Sequence, residues 1–91
     1  MLDSLTLDAI ATMNQKIQET KNAINCIEYP KFAVSSHEPG FVAYLNACDR
    51  ADNEMRRLRA VYDLQCDVVG YMQSGNFQHA AIVLVKISNM I

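Results

Sequence analysis

One long apolar pattern constrains the fold of this chain more than any other feature. From Phe41 to Met72 the apolar residues alternate spacings of three and four, which places them on one face of an α-helix. No proline follows Phe41, and the first glycine after it is Gly70. The pattern therefore predicts a single helix over about residues 39–74, about 50 Å long at 1.5 Å per residue. Pro39 suits the first helical position, where its missing amide hydrogen costs nothing.

A shorter helix is predicted before the long one, over about residues 4–27. Its apolar residues alternate three and four along one seam, and the residues between them are polar. Ser4 and Thr6 are both candidate N-caps, because their side-chain oxygens can accept hydrogen bonds from free amides of the first turn. Pro30 disfavours helical geometry in Tyr29, so the helix should end before it.

A third helix is predicted over about residues 76–91. Gly75 suits a left-handed C-terminal cap and Asn76 an N-cap, so the chain stops one helix and starts another there. The segment 81–87 is rich in β-branched residues and could instead be a buried strand. Helix is favoured because the sequence offers no second strand to pair with it.

The composition indicates one helical domain, residues 1–91, whose core is marginal. A chain of 91 residues buries only about 60–65% of its unfolded surface, so oligomerisation or a partner often completes such a core. The three cysteines are an odd number at irregular spacings, which indicates reduced thiols and a cytoplasmic protein. No stretch approaches the ~20 apolar residues that span a bilayer, so no membrane association is expected.

The charge and the motifs exclude several classes of function. Eight basic and ten acidic residues give a net charge of -2, without the basic surplus typical of nucleic-acid binding. His37 and His79 have no partners at a metal-ligand spacing, and the chain has no Gly-rich phosphate loop. Glu38 beside His37 has no nucleophile or oxyanion donor nearby in the sequence. We therefore expect no catalytic residues, no metal, no cofactor and no enzymatic activity.

The second helical hairpin resembles one tetratricopeptide-type repeat over residues 62–91. That family joins two antiparallel helices by a tight turn and places an aromatic residue, a turn glycine, a second aromatic residue and a small residue where Tyr71, Gly75, Phe77 and Ala80 stand here. The chain departs from the family at Val68, where a small residue is preferred, and shows no second copy of the pattern. The resemblance implies a groove or flank that accepts a partner helix.

Together the three helices predict an all-α arrangement in which both short helices run antiparallel to the long one. We expect the first helix along the N-terminal part of the long helix and the third along its C-terminal part. This leaves apolar surface uncovered, which is typical of an interface. A second copy of the chain, an amphipathic helix of another protein, or both could fill it. The residues predicted to contact a partner are Val61, Leu64, Val68, Phe77, Ile82, Val83, Val85, Ile87 and Ile91.

Three functions remain open from the sequence. The first is an adaptor or chaperone, similar in size to the small secretion chaperones, that holds an amphipathic helix of another protein while itself oligomeric. The second is a dimeric regulator or inhibitor of viral or mobile-element origin that offers Arg56, Arg57 and Arg59 to an acidic partner or to nucleic acid. The third is a structural subunit of a larger helical assembly. Raised salt should weaken only the arginine-mediated binding steeply.

Overall fold

The chain folds into three α-helices. The computed structural model describes residues 2–90, and no strand occurs in that range. Helix α1 spans Ser4–Asn25, α2 spans Phe41–Gln73 and α3 spans Phe77–Met90. The all-α prediction is confirmed, and segment 81–87 is helical. The predicted bounds differ by about two residues at most, which is the usual uncertainty of helix ends; Ile91 lies outside the described residues.

The N-terminal ends of α1 and α2 differ from the predictions. Asp3 caps α1, because its Oδ1 accepts a hydrogen bond from the Thr6 amide at 2.7 Å; Ser4 and Thr6 lie inside the helix. This hydrogen bond also lowers the pKa of Asp3. Helix α2 begins at Phe41 and not at Pro39, because Gly40 adopts a left-handed φ of 88° immediately before it.

The turn between α2 and α3 has the predicted chemistry. Gly75 is left-handed with φ of 80°, and its amide donates to the Met72 carbonyl at 3.1 Å. The Asn76 amide donates to the Tyr71 carbonyl at 2.8 Å, which completes the paired bonds of a Schellman cap. The Asn76 side chain then accepts from the His79 amide at 3.3 Å, so Asn76 caps α3 as predicted. The turn folds α3 back along the C-terminal half of α2.

Helix α1 lies beside the C-terminal half of α2, so its predicted position was wrong. Ile24, near the end of α1, lines the same shallow recess as Tyr62. Beyond α1, the Tyr29 hydroxyl donates to Asp52 Oδ1 at 2.9 Å. Residue numbers thus rise along α1 as they fall along α2, and the helices are antiparallel. The connection over residues 26–40 is not a tight turn but runs back beside the N-terminal half of α2.

Helices α1 and α3 both pack on α2, and their backbones do not approach each other anywhere in residues 2–90. The buried core therefore forms where side chains of α1 and α3 meet α2. Its centre is Val68, which is fully buried. The core cluster consists of Met13, Val61, Val68, Ala80, Val83 and Ile87.

The resulting molecule is long and thin. It measures 63 × 20 × 15 Å, and its radius of gyration is 18.1 Å. A compact domain of this length has a radius of gyration of about 12 Å. The length exceeds the ~50 Å of α2, because the first turns of α1 extend past the C-terminal end of α2. An elongated shape of this kind buries less surface than a globular one.

Candidate protein-binding surface

Helix α3 has apolar residues on two sides, and only one side is covered. Ala80, Val83 and Ile87 face the core and are at most 7% exposed. Phe77 and Val85 are 52% and 61% exposed, respectively. At 100° per residue they share one face with three other exposed residues. We name this face the α3 stripe; it consists of Phe77, Ala81, Leu84, Val85 and Ser88.

The α3 stripe carries no charge. The charged side chain of α3 is Lys86, which by helical spacing projects from a different side of the helix, as does His79. His79 instead stacks near the Tyr71 ring, with ring centroids 5.2 Å apart. The small side chains of Ala81 and Ser88 lie between the larger ones along the stripe. A neutral surface of alternating large and small side chains suits packing against another helix.

The structure separates the nine predicted partner-contact residues into groups. Val61, Val68, Val83 and Ile87 lie in the intramolecular core, so a partner could contact them only if the helices separated. Leu64 is half-buried beside that core. The exposed residues are Phe77, Ile82 and Val85, while Ile91 is outside the described range.

The α3 stripe differs from the predicted surface because it excludes Ile82 and includes Ala81 and Ser88. Ile82 is 54% exposed but lies about 110° around the helix from the line through Ala81 and Ser88, whereas Leu84 and Val85 lie about 50° from that line, so Ile82 lies off the α3 stripe. Sequence reasoning missed Ala81 and Ser88 because it selected large apolar residues. Their spacing of four and eleven from Phe77 was the signal that could have identified them.

The chain exposes more surface than a compact protein of its mass. Its accessible area is 6648 Å², whereas a compact monomer of 10.2 kDa exposes about 5,300 Å². The excess is roughly 1,300 Å², which is more than the ~800 Å² that each partner contributes to a standard protein–protein interface. This excess follows from the elongated shape of the molecule and is not confined to the α3 stripe.

The predicted arginine cluster does not form a uniformly basic patch. Arg57 makes two hydrogen bonds to the carboxylate of Glu54, which is the sole ion pair of the described chain. The hydrogen bond that Glu54 accepts from Arg57 lowers the pKa of the Glu54 carboxylate. Arg56 and Arg59 are exposed, and among the described residues neither forms an ion pair with the carboxylate four residues away, Asp52 or Asp63.

Asp52 is hydrogen-bonded to a residue of the connection between α1 and α2. Its carboxylate accepts the hydrogen bond from Tyr29, and this bond raises the pKa of the Tyr29 hydroxyl. The bond ties the connection between α1 and α2 to the long helix. Asp52 therefore stabilises the position of the loop.

Residues of both α1 and α2 line a shallow recess between these two helices. It has a volume of about 390 Å³ and is lined by Ile24, Tyr62, Lys21, Asn25, Arg59 and Asp63. Cations and a carboxylate share this rim without an arrangement typical of acid–base catalysis. Across residues 2–90 no group of three metal-ligating side chains is found, and no helix there is long and apolar enough to cross a membrane.

Comparison with known proteins adds no further identification. No protein-family model, curated protein or solved structure matches this chain. The functional argument therefore rests on the surface chemistry of the helices.

Proposed function

We propose that this protein is a non-enzymatic helical interaction module, an adaptor or chaperone that holds an amphipathic helix of another protein. The observation that carries the proposal is the α3 stripe, because it is a neutral apolar face on a folded helix that nothing in residues 2–90 covers. A large exposed apolar surface of this kind is typical of interaction sites. In this proposal the partner helix lies along α3.

The size of the stripe indicates a reversible interaction. Phe77, Leu84 and Val85 are 52%, 37% and 61% exposed, so a partner would bury about half of each side chain. Full burial of such a side chain stabilises by about 1.5–3 kcal/mol. Together the three contribute roughly 2–4 kcal/mol on this scale. Tight binding thus needs contacts beyond α3, which suits a partner that is held and later released.

Two further features support this assignment. The hairpin formed by α2 and α3 resembles a tetratricopeptide-type repeat and has the glycine turn of that repeat. Such hairpins offer a flank to a partner helix. Cys26, Cys48 and Cys66 are all free thiols, which is typical of a reducing compartment and supports a cytoplasmic location. A secretion-type chaperone is one form that this function could take.

The second candidate is a dimeric regulator that binds an acidic partner through its arginine face. The exposure of Arg56 and Arg59 supports it. Asp52 and Asp63 lie one helical turn from these arginines, however, and reduce the local positive potential. A structural subunit of a helical assembly, the third candidate, would form oligomers that grow with concentration.

Co-purification with variants tests the proposal. Tagged protein would be isolated from its native source at low and high salt, with Ala81→Glu as the stripe variant and Ile82→Glu as a matched control on the same helix. We expect a partner that survives high salt, is lost with Ala81→Glu and is retained with Ile82→Glu. A partner lost at high salt and with Arg59→Glu, but kept with Ala81→Glu, would favour the arginine face and refute the proposal.

A further inference from the structure

The α3 stripe is complementary to itself when two copies of α3 are antiparallel. Ala81 and Ser88 are seven residues apart, with Leu84 and Val85 midway between them. If a twofold axis passes beside Leu84 and Val85, Ala81 of one chain lies opposite Ser88 of the other. Small residues then face each other at two places, which allows the two helices to approach closely.

Charge also favours this arrangement over a parallel one. The stripe is neutral, so pairing two copies places no like charges in contact. Antiparallel pairing also places the positive end of each helix dipole beside the negative end of the other, whereas parallel pairing would place like ends side by side. The neutral stripe permits either orientation, and the dipole term favours the antiparallel contact.

The area of the contact indicates a weak dimer. A contact between two helices of 14 residues, each about 21 Å long, buries only a few hundred square ångströms per chain. This area is less than the ~800 Å² that each partner of a standard interface supplies, and it is typical of weak, reversible complexes. We therefore expect the dimer to be in equilibrium with the monomer, which leaves the stripe accessible to a partner helix.

We propose that in the free protein the α3 stripe is covered by the α3 stripe of a second copy, paired antiparallel about Leu84 and Val85. This inference rests on the proposed function because it uses the same surface. A partner helix and the second copy compete for the stripe. The partner helix therefore shares the chemistry of α3, with a neutral seam of large and small residues.

Sedimentation equilibrium over a range of protein concentrations tests the dimer. We expect the wild-type chain and Ile82→Glu to form a dimer at both low and high salt, and Ala81→Glu to be monomeric. Ala81 and Ile82 are both exposed, so circular dichroism should show unchanged helicity in both variants. A monomeric wild-type chain, or a dimer that Ala81→Glu leaves intact, would overturn the proposal.

Disulfide cross-linking tests the antiparallel register. The background chain carries Cys26→Ser, Cys48→Ala and Cys66→Ser, and Ala81→Cys and Ser88→Cys are made in it separately. We expect mild oxidation to cross-link a mixture of the two proteins. Neither variant alone should cross-link, since equivalent residues would lie about 10 Å apart along the helix axis, beyond the Cα separation of a disulfide.

Each result has a distinct meaning for the two proposals. Cross-linking of Ala81→Cys with itself, or none in the mixture, would overturn the antiparallel pairing. A refuted dimer would not refute the proposal that the protein holds a partner helix, because co-purification tests that proposal separately. Failure to recover a salt-resistant partner, with a dimer present, would refute the helix-holding proposal alone.

Discussion

Replacing Val68 by alanine tests whether the three helices close around one core. Val68 is the largest side chain that is completely buried, and it lies in α2 where side chains of α1 and α3 converge. Removing two buried carbon groups costs about 1.6 kcal/mol in transfer free energy. The remaining cavity adds roughly 1 kcal/mol if the surroundings do not collapse. We therefore expect a loss of about 2–3 kcal/mol in the free energy of unfolding.

The matched control is Val42→Ala. Val42 lies in the same helix but is 69% exposed. Both substitutions gain the same helix propensity, about 0.5 kcal/mol, so their difference isolates the effect of burial. Domains of this kind have a total stability of only about 5–15 kcal/mol, so the difference should be obvious.

Urea denaturation followed by circular dichroism provides the measurement. With a slope of about 1–1.5 kcal/mol per molar urea for a small domain, Val68→Ala should lower the midpoint by about 2 M relative to Val42→Ala. All proteins should be compared at one concentration, because self-association would add to the apparent stability. Equal midpoints for the two variants would refute the reasoning, since Val68 would then not be enclosed by a packed core.

Three further predictions follow from the backbone, the core and the first helix cap. Gly75→Ala should destabilise by about 1 kcal/mol because alanine disfavours positive φ, whereas Gly70→Ala, in the helical backbone of α2, should stabilise by about 0.5–1 kcal/mol. Thermal denaturation would measure both, and equal effects would contradict the left-handed cap. Gln65→Met should stabilise by about 1–3 kcal/mol, because the Gln65 Oε1 atom is buried without a donor among the described residues; a lower urea midpoint would show that Gln65 has a partner. The lowered pKa of Asp3 means that its cap is fully present above the unfolded-state pKa and is lost as pH falls through the lower folded-state pKa. Asp3→Asn, which can still accept from Thr6, should retain the helicity of α1 in acid, and identical acid titrations by circular dichroism would refute the role of the Asp3 carboxylate.

Burial was predictable for the seams of α1 and α2 but not for the residues beside them. Gln65 lies on the seam of α2 between Tyr62 and Val69, and it is buried there, at 5% exposure. On α3 the same three-four pattern includes Phe77 and Leu84, which are exposed. Val61 and Val68 were expected to face a partner because they lie off that seam. They are buried because α3 packs on the side of α2 adjacent to α1, so the buried face of α2 is wider than one heptad seam.

The binding surface was only partly predictable for a related reason. Phe77 and Val85 were expected on a partner-facing surface, and both are exposed. Helical spacing separates Ile82 from the α3 stripe and groups Ala81 and Ser88 with Phe77. Which of these sides is uncovered follows only from knowing which side of α3 packs on α2.

The sequence by itself determined where the helices form and how two of them are joined. Apolar spacing, proline and glycine positions and the Gly75–Asn76 turn act over a few residues, so their effects are local and independent of the rest of the fold. The tertiary structure decided that α1 lies beside the C-terminal half of α2. Residues 26–40 separate these helices, and a connection of that length permits either half of α2 as the packing site. Side-chain packing between distant parts of the chain selects between them, and that choice determines which apolar residues remain exposed.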